Sequence, residues 1–130
     1  MGKSLLIGKL IYSALTTDTN ISAAVGTRVF PIVAENDTQF PFIVYSRTNA
    51  YPQTGTKDGY DGDFISFQIS ILSDTYMQGY DIADKVRDLF ENCIISNSEL
   101  KIYNIRMTSA NESFDSDTYL QELYFECNAE

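Results

Sequence analysis

Apolar residues recur every three to four positions near the start of the chain and again between residues 74 and 93. This spacing places them on one face of a helix and predicts two amphipathic α-helices. The first covers residues 3–17, and ISAAVG adds one short helical turn that Gly26 closes. The second covers SDTYMQGYDIADKVRDLFENCI. Its predicted buried stripe consists of Tyr76, Met77, Tyr80, Ala83, Val86, Leu89, Phe90 and Cys93.

Between the helices the pattern changes to strict alternation. In FISFQISIL, apolar side chains at positions 65, 67, 69 and 71 alternate with Ser66, Gln68 and Ser70. Such a strand packs one face on a core and leaves the other face wet or covered by a partner. The three polar residues therefore form a candidate sheet-face interface.

Four further segments have strand character: residues 28–33, 42–49, 100–113 and 119–129. The first contains Pro31 and is expected at a sheet edge or a bulge, because proline has no amide hydrogen. The element order predicts an α+β fold. We expect a mostly antiparallel sheet of about four to five strands, with two main helices packed on one face. A chain of 130 residues predicts a single domain, residues 1–130.

The net charge of −9 is unevenly distributed along the chain. Residues 1–50 carry four basic and three acidic side chains, whereas residues 111–130 carry six acidic side chains and no basic one. A chain this acidic repels phosphate backbones, which argues against tight binding to nucleic acid. No apolar run reaches the roughly 18 residues that span a bilayer. The N-terminus lacks an uninterrupted signal-peptide core, so we expect synthesis in the cytosol.

The residue types argue against common catalytic chemistry. The chain has no histidine, which removes the commonest general base and metal ligand. Cys93 and Cys127 are predicted to be small buried hydrophobic residues rather than a disulfide. We therefore predict no catalytic residue, no cofactor and no metal site.

The stretch KDGYDGDF, residues 57–64, resembles the start of a calcium loop. An EF-hand loop needs ligands at positions 1, 3, 5 and 12 and glycine at position 6, and no register of this stretch supplies them. Two interpretations stay open for the loop that contains it. It is either a plain solvated connection between strands or an assembly loop with an acidic tip. The candidate assembly residues are Asp58, Tyr60, Asp61 and Asp63.

An ordered set of short motifs resembles the phage tail-completion, or tail-terminator, family of long-tailed phages and prophages. The motifs are VGTRVFP (residues 25–31), PFIVY (41–45), FQISIL (67–72), TYMQG (75–79), ADKVR (83–87) and YLQELYF (119–125). Each motif alone is degenerate, but together they span nearly the whole chain in the family's order.

The resemblance implies an α+β fold and a structural role in the virion. Members of this family assemble as a ring, usually a hexamer, at the head-proximal end of the tail tube. The ring stops tube growth and enables head-tail joining, so the implied partners are the tail tube protein and a head-completion or connector protein. DNA passes through without specific binding. The implied locations are the bacterial host cytoplasm during assembly and then the virion tail.

An alternative is a non-enzymatic α+β module that binds a ligand or a protein. A deep pocket with converging polar groups would favour a ligand-binding module. Flat faces and protruding loops would favour the ring.

Overall fold

The computed structural model describes residues 4–53 and 62–130. A 3-10 turn, Ser4–Leu6, leads directly into α1 (Ile7–Thr17), and α2 (Thr19–Val25) follows after Asp18. The Asp18 side chain accepts a hydrogen bond from the Ile21 amide and so caps α2. The third helix, α3, spans Tyr76–Phe90.

Six strands form one sheet in the order β1-β2-β3-β6-β5-β4. All neighbouring strands are antiparallel except β1 and β2, which run parallel. The strands are β1 (Val29–Pro31), β2 (Phe42–Pro52), β3 (Asp63–Ser73), β4 (Ile95–Ser96), β5 (Lys101–Asp115) and β6 (Thr118–Ala129). This α+β architecture confirms the predicted fold class, with slightly more strands than predicted.

The core lies between the helices and one face of the sheet. The alternation in β3 is confirmed, because its isoleucines and Phe67 are fully buried. Phe67 stacks on Phe125 of β6, and Phe90 of α3 packs against both rings at centroid distances of 5.5 and 5.6 Å. The packing of these three rings holds α3 against the centre of the sheet.

The predicted buried stripe of α3 is wrong at its N-terminal end. Tyr76, Met77 and Tyr80 are exposed, and Gly79 and Ile82 are buried instead. Helix α3 packs through its C-terminal two-thirds, so its first turn presents large apolar side chains to solvent. Of the two cysteines, Cys127 is buried as predicted, whereas Cys93 is only half-buried, and both are free thiols.

No helix in the described ranges is long and apolar enough to cross a membrane.

Candidate assembly surfaces

The polar face of the sheet contains the predicted interface residues Ser66, Gln68 and Ser70, all half-buried. The Gln68 side-chain amide donates hydrogen bonds to Ser70 Oγ at 3.0 Å and to Glu122 Oε2 of β6 at 2.7 Å. The helices cover the opposite face. The structure thus places these residues together on an uncovered polar face, and their role as an interface stays a prediction.

The β5–β6 hairpin forms one end of the sheet. Strands β5 and β6 are joined by the two residues Ser116 and Asp117, both with positive φ (50° and 61°). Two positive φ values in a two-residue loop match the tight turn whose twist suits a β-hairpin. Every β5 residue from 108 to 115 is exposed, so this part of the hairpin lies outside the core.

A groove lies between the hairpin and the first turn of α3. We call it the hairpin groove, and its volume is about 250 Å³. It is open to solvent. The residues that line it are Tyr76, Glu112, Ser113, Phe114, Tyr119, Leu120 and Gln121.

Aromatic rings and one carboxylate organise the hairpin groove. The Tyr119 ring lies 4.7 Å from the Phe114 ring and 6.0 Å from the Tyr76 ring, measured between centroids. Glu112 Oε2 accepts hydrogen bonds from the Tyr76 hydroxyl at 2.9 Å and from the Gln121 amide at 2.8 Å. The hydrogen bond to Glu112 and the negative charge of that carboxylate raise the pKa of Tyr76. Both donors are neutral, and no described cation pairs with Glu112.

A second apolar surface lies at the opposite edge of the sheet, where β1 and β2 meet the start of α1. Ile32 and Val33 are 78% and 73% exposed, and Leu5 is 67% exposed. Arg47 lies beside them and donates a hydrogen bond from Nη1 to the Leu5 carbonyl at 3.3 Å. We call this surface, made of Leu5, Ile32, Val33 and Arg47, the β1–β2 patch. Within the described ranges, the Arg47 guanidinium has no carboxylate partner.

The two surfaces carry opposite charge. Arg47 is the charged residue of the β1–β2 patch, whereas Glu112, Asp115 and Asp117 lie on the hairpin. Neither surface was predicted from the sequence. The one available signal was the large apolar residues in otherwise polar stretches, such as Phe114 in NESFDSD. An alternating or helical period cannot reveal which such residues the fold leaves uncovered.

Three of the four candidate assembly residues, Asp58, Tyr60 and Asp61, lie outside the described residues. Asp63 begins β3 opposite Ala129 of β6 and is half-buried. Among the residues that the structure describes, no group of three or more His, Cys, Asp or Glu side chains could hold a metal ion.

Solved structures of other proteins share the fold of this chain. A chain in the solved structure "Virion of native gene transfer agent (GTA) particle" superposes with a TM-score of 0.77 and 20% sequence identity, covering 94% of this chain and 92% of that chain. A second solved structure superposes with a TM-score of 0.66 and 11% identity, covering 98% and 96%. At these identities the likeness shows the fold alone. A sequence search among curated proteins gave no significant match.

Exposed apolar surfaces of this kind, beside open grooves in the described part of the chain, are typical of a protein that assembles with others. The sequence matches the family described as "Tail completion protein gp17" over residues 9–129. The chain therefore belongs to this tail-completion family, and it is a structural protein of a phage-type tail. The family resemblance in the sequence is thereby confirmed.

Proposed function

We propose that this protein forms a ring at the head-proximal end of the tail tube, where it stops tube growth and presents the surface to which the filled head joins. The observation that carries this proposal is the pair of unlike surfaces on opposite edges of one sheet. A closed ring makes heterologous contacts, so each subunit needs two different patches that fit each other. The hairpin groove and the β1–β2 patch are the two surfaces that we assign to this contact.

In this proposal the ring is a hexamer, and its partners are the tail tube protein and a head-completion or connector protein. The protein acts by binding and not by catalysis. It assembles in the cytoplasm of the bacterial host and remains in the virion tail. The polar face around Ser66, Gln68 and Ser70 is the candidate contact to a neighbouring protein, because it is the sheet face that the helices leave uncovered.

The alternative function, a binding module for a small ligand, finds little support in the cavities. Three of the seven residues that line the hairpin groove are aromatic, and Glu112 and Gln121 already bond to each other within it. A groove of about 280 Å³ between α2 and α3 is lined by Asp18, Asn20, Lys85, Asp88, Leu89 and Cys93, and it is also open. Small-molecule sites usually bury most of the ligand, which open grooves do not do.

Electron microscopy tests the proposed ring directly. Purified protein is mixed with tail tubes from the particle that encodes it, and the tube ends are imaged. We expect a ring at one end of each tube and no further tube growth when more tube protein is added. Tubes that keep growing and carry no cap would contradict the proposal. A monomer in free solution would not, since such a ring can form on the tube alone.

The acidic loop is tested by a triple substitution, Asp58→Asn with Asp61→Asn and Asp63→Asn. If the loop is an assembly element, thermal unfolding stays unchanged and tail completion or DNA passage is impaired. Normal plaque or particle yield from the triple variant would favour a plain solvated loop. Asp88→Asn, on the exposed side of α3, serves as the control.

A further inference from the structure

The outer edge of β5 has an unused row of backbone hydrogen-bonding groups. In a hairpin with a two-residue loop, the pair that flanks the loop, Asp115 and Thr118, is hydrogen-bonded. Alternation then turns the amide and carbonyl of Phe114, Glu112 and Ala110 away from β6. Strand β4 pairs only with residues 101 and 102 of β5, so within the described residues no strand faces these outward groups.

This edge has only part of the usual protection against pairing. Exposed edge strands are commonly blunted by charged side chains, especially lysine, by proline, by bulges or by a covering element. Here the protection is limited to Glu112, Asp115 and the bulge between Met107 and Ser109. Residues 108–115, TSANESFD, contain neither lysine nor proline, and all eight are exposed. A long edge that is left open in this way is suited to accept a strand from another chain.

Among the described residues, the opposite edge of the sheet is mostly blunted, and one position of β2 has no strand beside it. Strand β1 stops at Pro31, and the Ile32 amide donates to the Tyr45 carbonyl of β2 at 2.8 Å. Two residues further along β2, the backbone of Arg47 points to the same outer side, beyond the end of β1. A bulge follows at once between Arg47 and Asn49, and β2 ends at Pro52. Arg47 therefore lies on the outer side of β2, in the gap just beyond the end of β1.

The two edges match in direction and charge. Counting across the sheet, β2 and β5 run in opposite directions, so β5 of one copy meets β2 of another as an antiparallel pair. Glu112 contacts Tyr76 of α3 and Arg47 contacts Leu5 next to α1, so both side chains lie on the helix side of the sheet. Opposite charges directly across an antiparallel pair are stabilising.

The apolar residues meet beyond this single paired position. When Glu112 lies opposite Arg47, β5 pairs with β2 only there, because β1 already occupies the outer side of β2 at Tyr45 through Pro31 and the Ile32 amide. The hairpin must therefore pass over the end of β1. This brings the exposed ring of Phe114, at the rim of the hairpin groove, onto Ile32 and Val33 of the β1–β2 patch. Both apolar surfaces become covered in a single contact.

We propose that the β5–β6 hairpin of one copy docks on the β1–β2 edge of the next copy, with Glu112 facing Arg47 and Phe114 covering Ile32. The occupant of the open edge is thus a second copy of this chain. The inference rests on the proposed ring and specifies the contact that closes it.

Charge reversal with complementation tests this contact. The variants are Arg47→Glu, Glu112→Arg, the double variant, and a one-to-one mixture of the two single variants, each added to tail tubes and scored by electron microscopy. Each single reversal places like charges together and should lower the fraction of capped tubes by about tenfold or more. The double variant should restore capping. The mixture should do so too, because alternating copies then always pair opposite charges in an even-numbered ring.

The controls are Lys85→Glu and Asp88→Arg, two reversals on the exposed side of α3 that should cap tubes like the natural protein. Thermal unfolding of every variant checks the fold. If a reversal unfolds the chain, Glu112→Gln keeps an acceptor oxygen for Tyr76 and should lower capping several-fold.

Single variants that cap normally, or folded variants that neither doubling nor mixing restores, would overturn this contact and leave the ring standing. Failure of the natural protein to cap tubes would overturn both proposals.

Discussion

At the scale of single residues, glycines with positive φ angles mark the start of one strand and the end of one helix. Gly62 has φ +96° just before β3, and a Cβ atom there would lie 2.5 Å from the Ala129 carbonyl oxygen. Glycine adopts such an angle without strain, whereas an L side chain does not. Gly26 closes α2 in the same way with φ +60°, as the sequence predicted.

Gly62→Ala is expected to lower the free energy of unfolding by about 1–3 kcal/mol. The added methyl group meets a backbone carbonyl that cannot move without disturbing β6. Gly8→Ala is the matched control, because its Cβ would contact only Tyr45 Cε2 at 3.6 Å within a helix. That control should be neutral or stabilising by up to about 1 kcal/mol. Urea unfolding monitored by circular dichroism measures both, and equal stabilities would contradict the expectation.

The two thiols should differ in reactivity. Burial raises the pKa of Cys127 to about 12, partly opposed by the positive charge of Arg106. Because the thiolate is the reactive form, an aromatic disulfide reagent at pH 8 should modify one thiol per folded chain, Cys93, and two after denaturation. The raised pKa also stabilises the folded state below the ordinary value of 9.0, and this contribution is lost as the pH rises toward 12. Rapid modification of two thiols in the folded protein would contradict the burial of Cys127.

At the scale of elements, the sequence predicted the helices and five of the six strands, missing β4, but not the extent to which each element is covered. Strand β3 has five alternating residues buried, because both the helices and its two neighbouring strands surround it. In α3 the same type of reasoning failed for Tyr76, Met77 and Tyr80. A helical period shows which residues share a face of the helix. How much of that face is buried depends on how far the sheet extends beneath the helix.

The contrast between buried and exposed rings gives a prediction for α3. Phe90→Ala should destabilise the fold by about 3–5 kcal/mol, because it leaves a cavity between Phe67 and Phe125. Phe114→Ala, on a ring that is 57% exposed, should change the free energy of unfolding by less than about 1 kcal/mol. Thermal or urea unfolding compares them, and a similar loss in both variants would show that the hairpin is part of the folding core.

At the scale of the whole molecule, charge is separated along the sheet. Residues 1–50, which form α1, α2, β1 and most of β2, have a net charge of +1. Residues 62–130 contain four basic and thirteen acidic side chains, a net charge of −9. The two edges therefore differ in charge as well as in shape, which favours head-to-tail contacts over contacts between like edges.

If the protein forms the proposed ring around DNA, its acidic surface should let the DNA slide without holding it. We expect no retention of double-stranded DNA by micromolar protein at about 0.15 M salt, since no described surface offers a basic stripe. Filter binding or gel shift measures the retained DNA. The variant Glu122→Lys plus Glu126→Lys, whose polar sheet face is less acidic, is measured beside the natural protein for comparison. Retention of DNA by the natural protein under these conditions would contradict a passive channel.

The sequence by itself determined the α+β class, the two main helices, the alternation of β3, and the edge position of the Pro31 strand. These features are local, because the period of apolar residues and the missing proline amide act within a few residues of the chain. The sequence also indicated the tail-completion family, through motifs spread over most of its length.

Only the tertiary structure decided which apolar residues remain uncovered. The pairing of β1 alongside β2, the short β4 and the open outer edge of β5 depend on contacts between residues far apart in sequence. Phe114 and Phe90 are the same residue type in strand and helix, yet one lies exposed and the other is buried. The difference arises because α3 covers the sheet at Phe67 and Phe125, whereas its first turn contacts the hairpin at Glu112 and Tyr119 and leaves Phe114 exposed. No local pattern in the sequence records this.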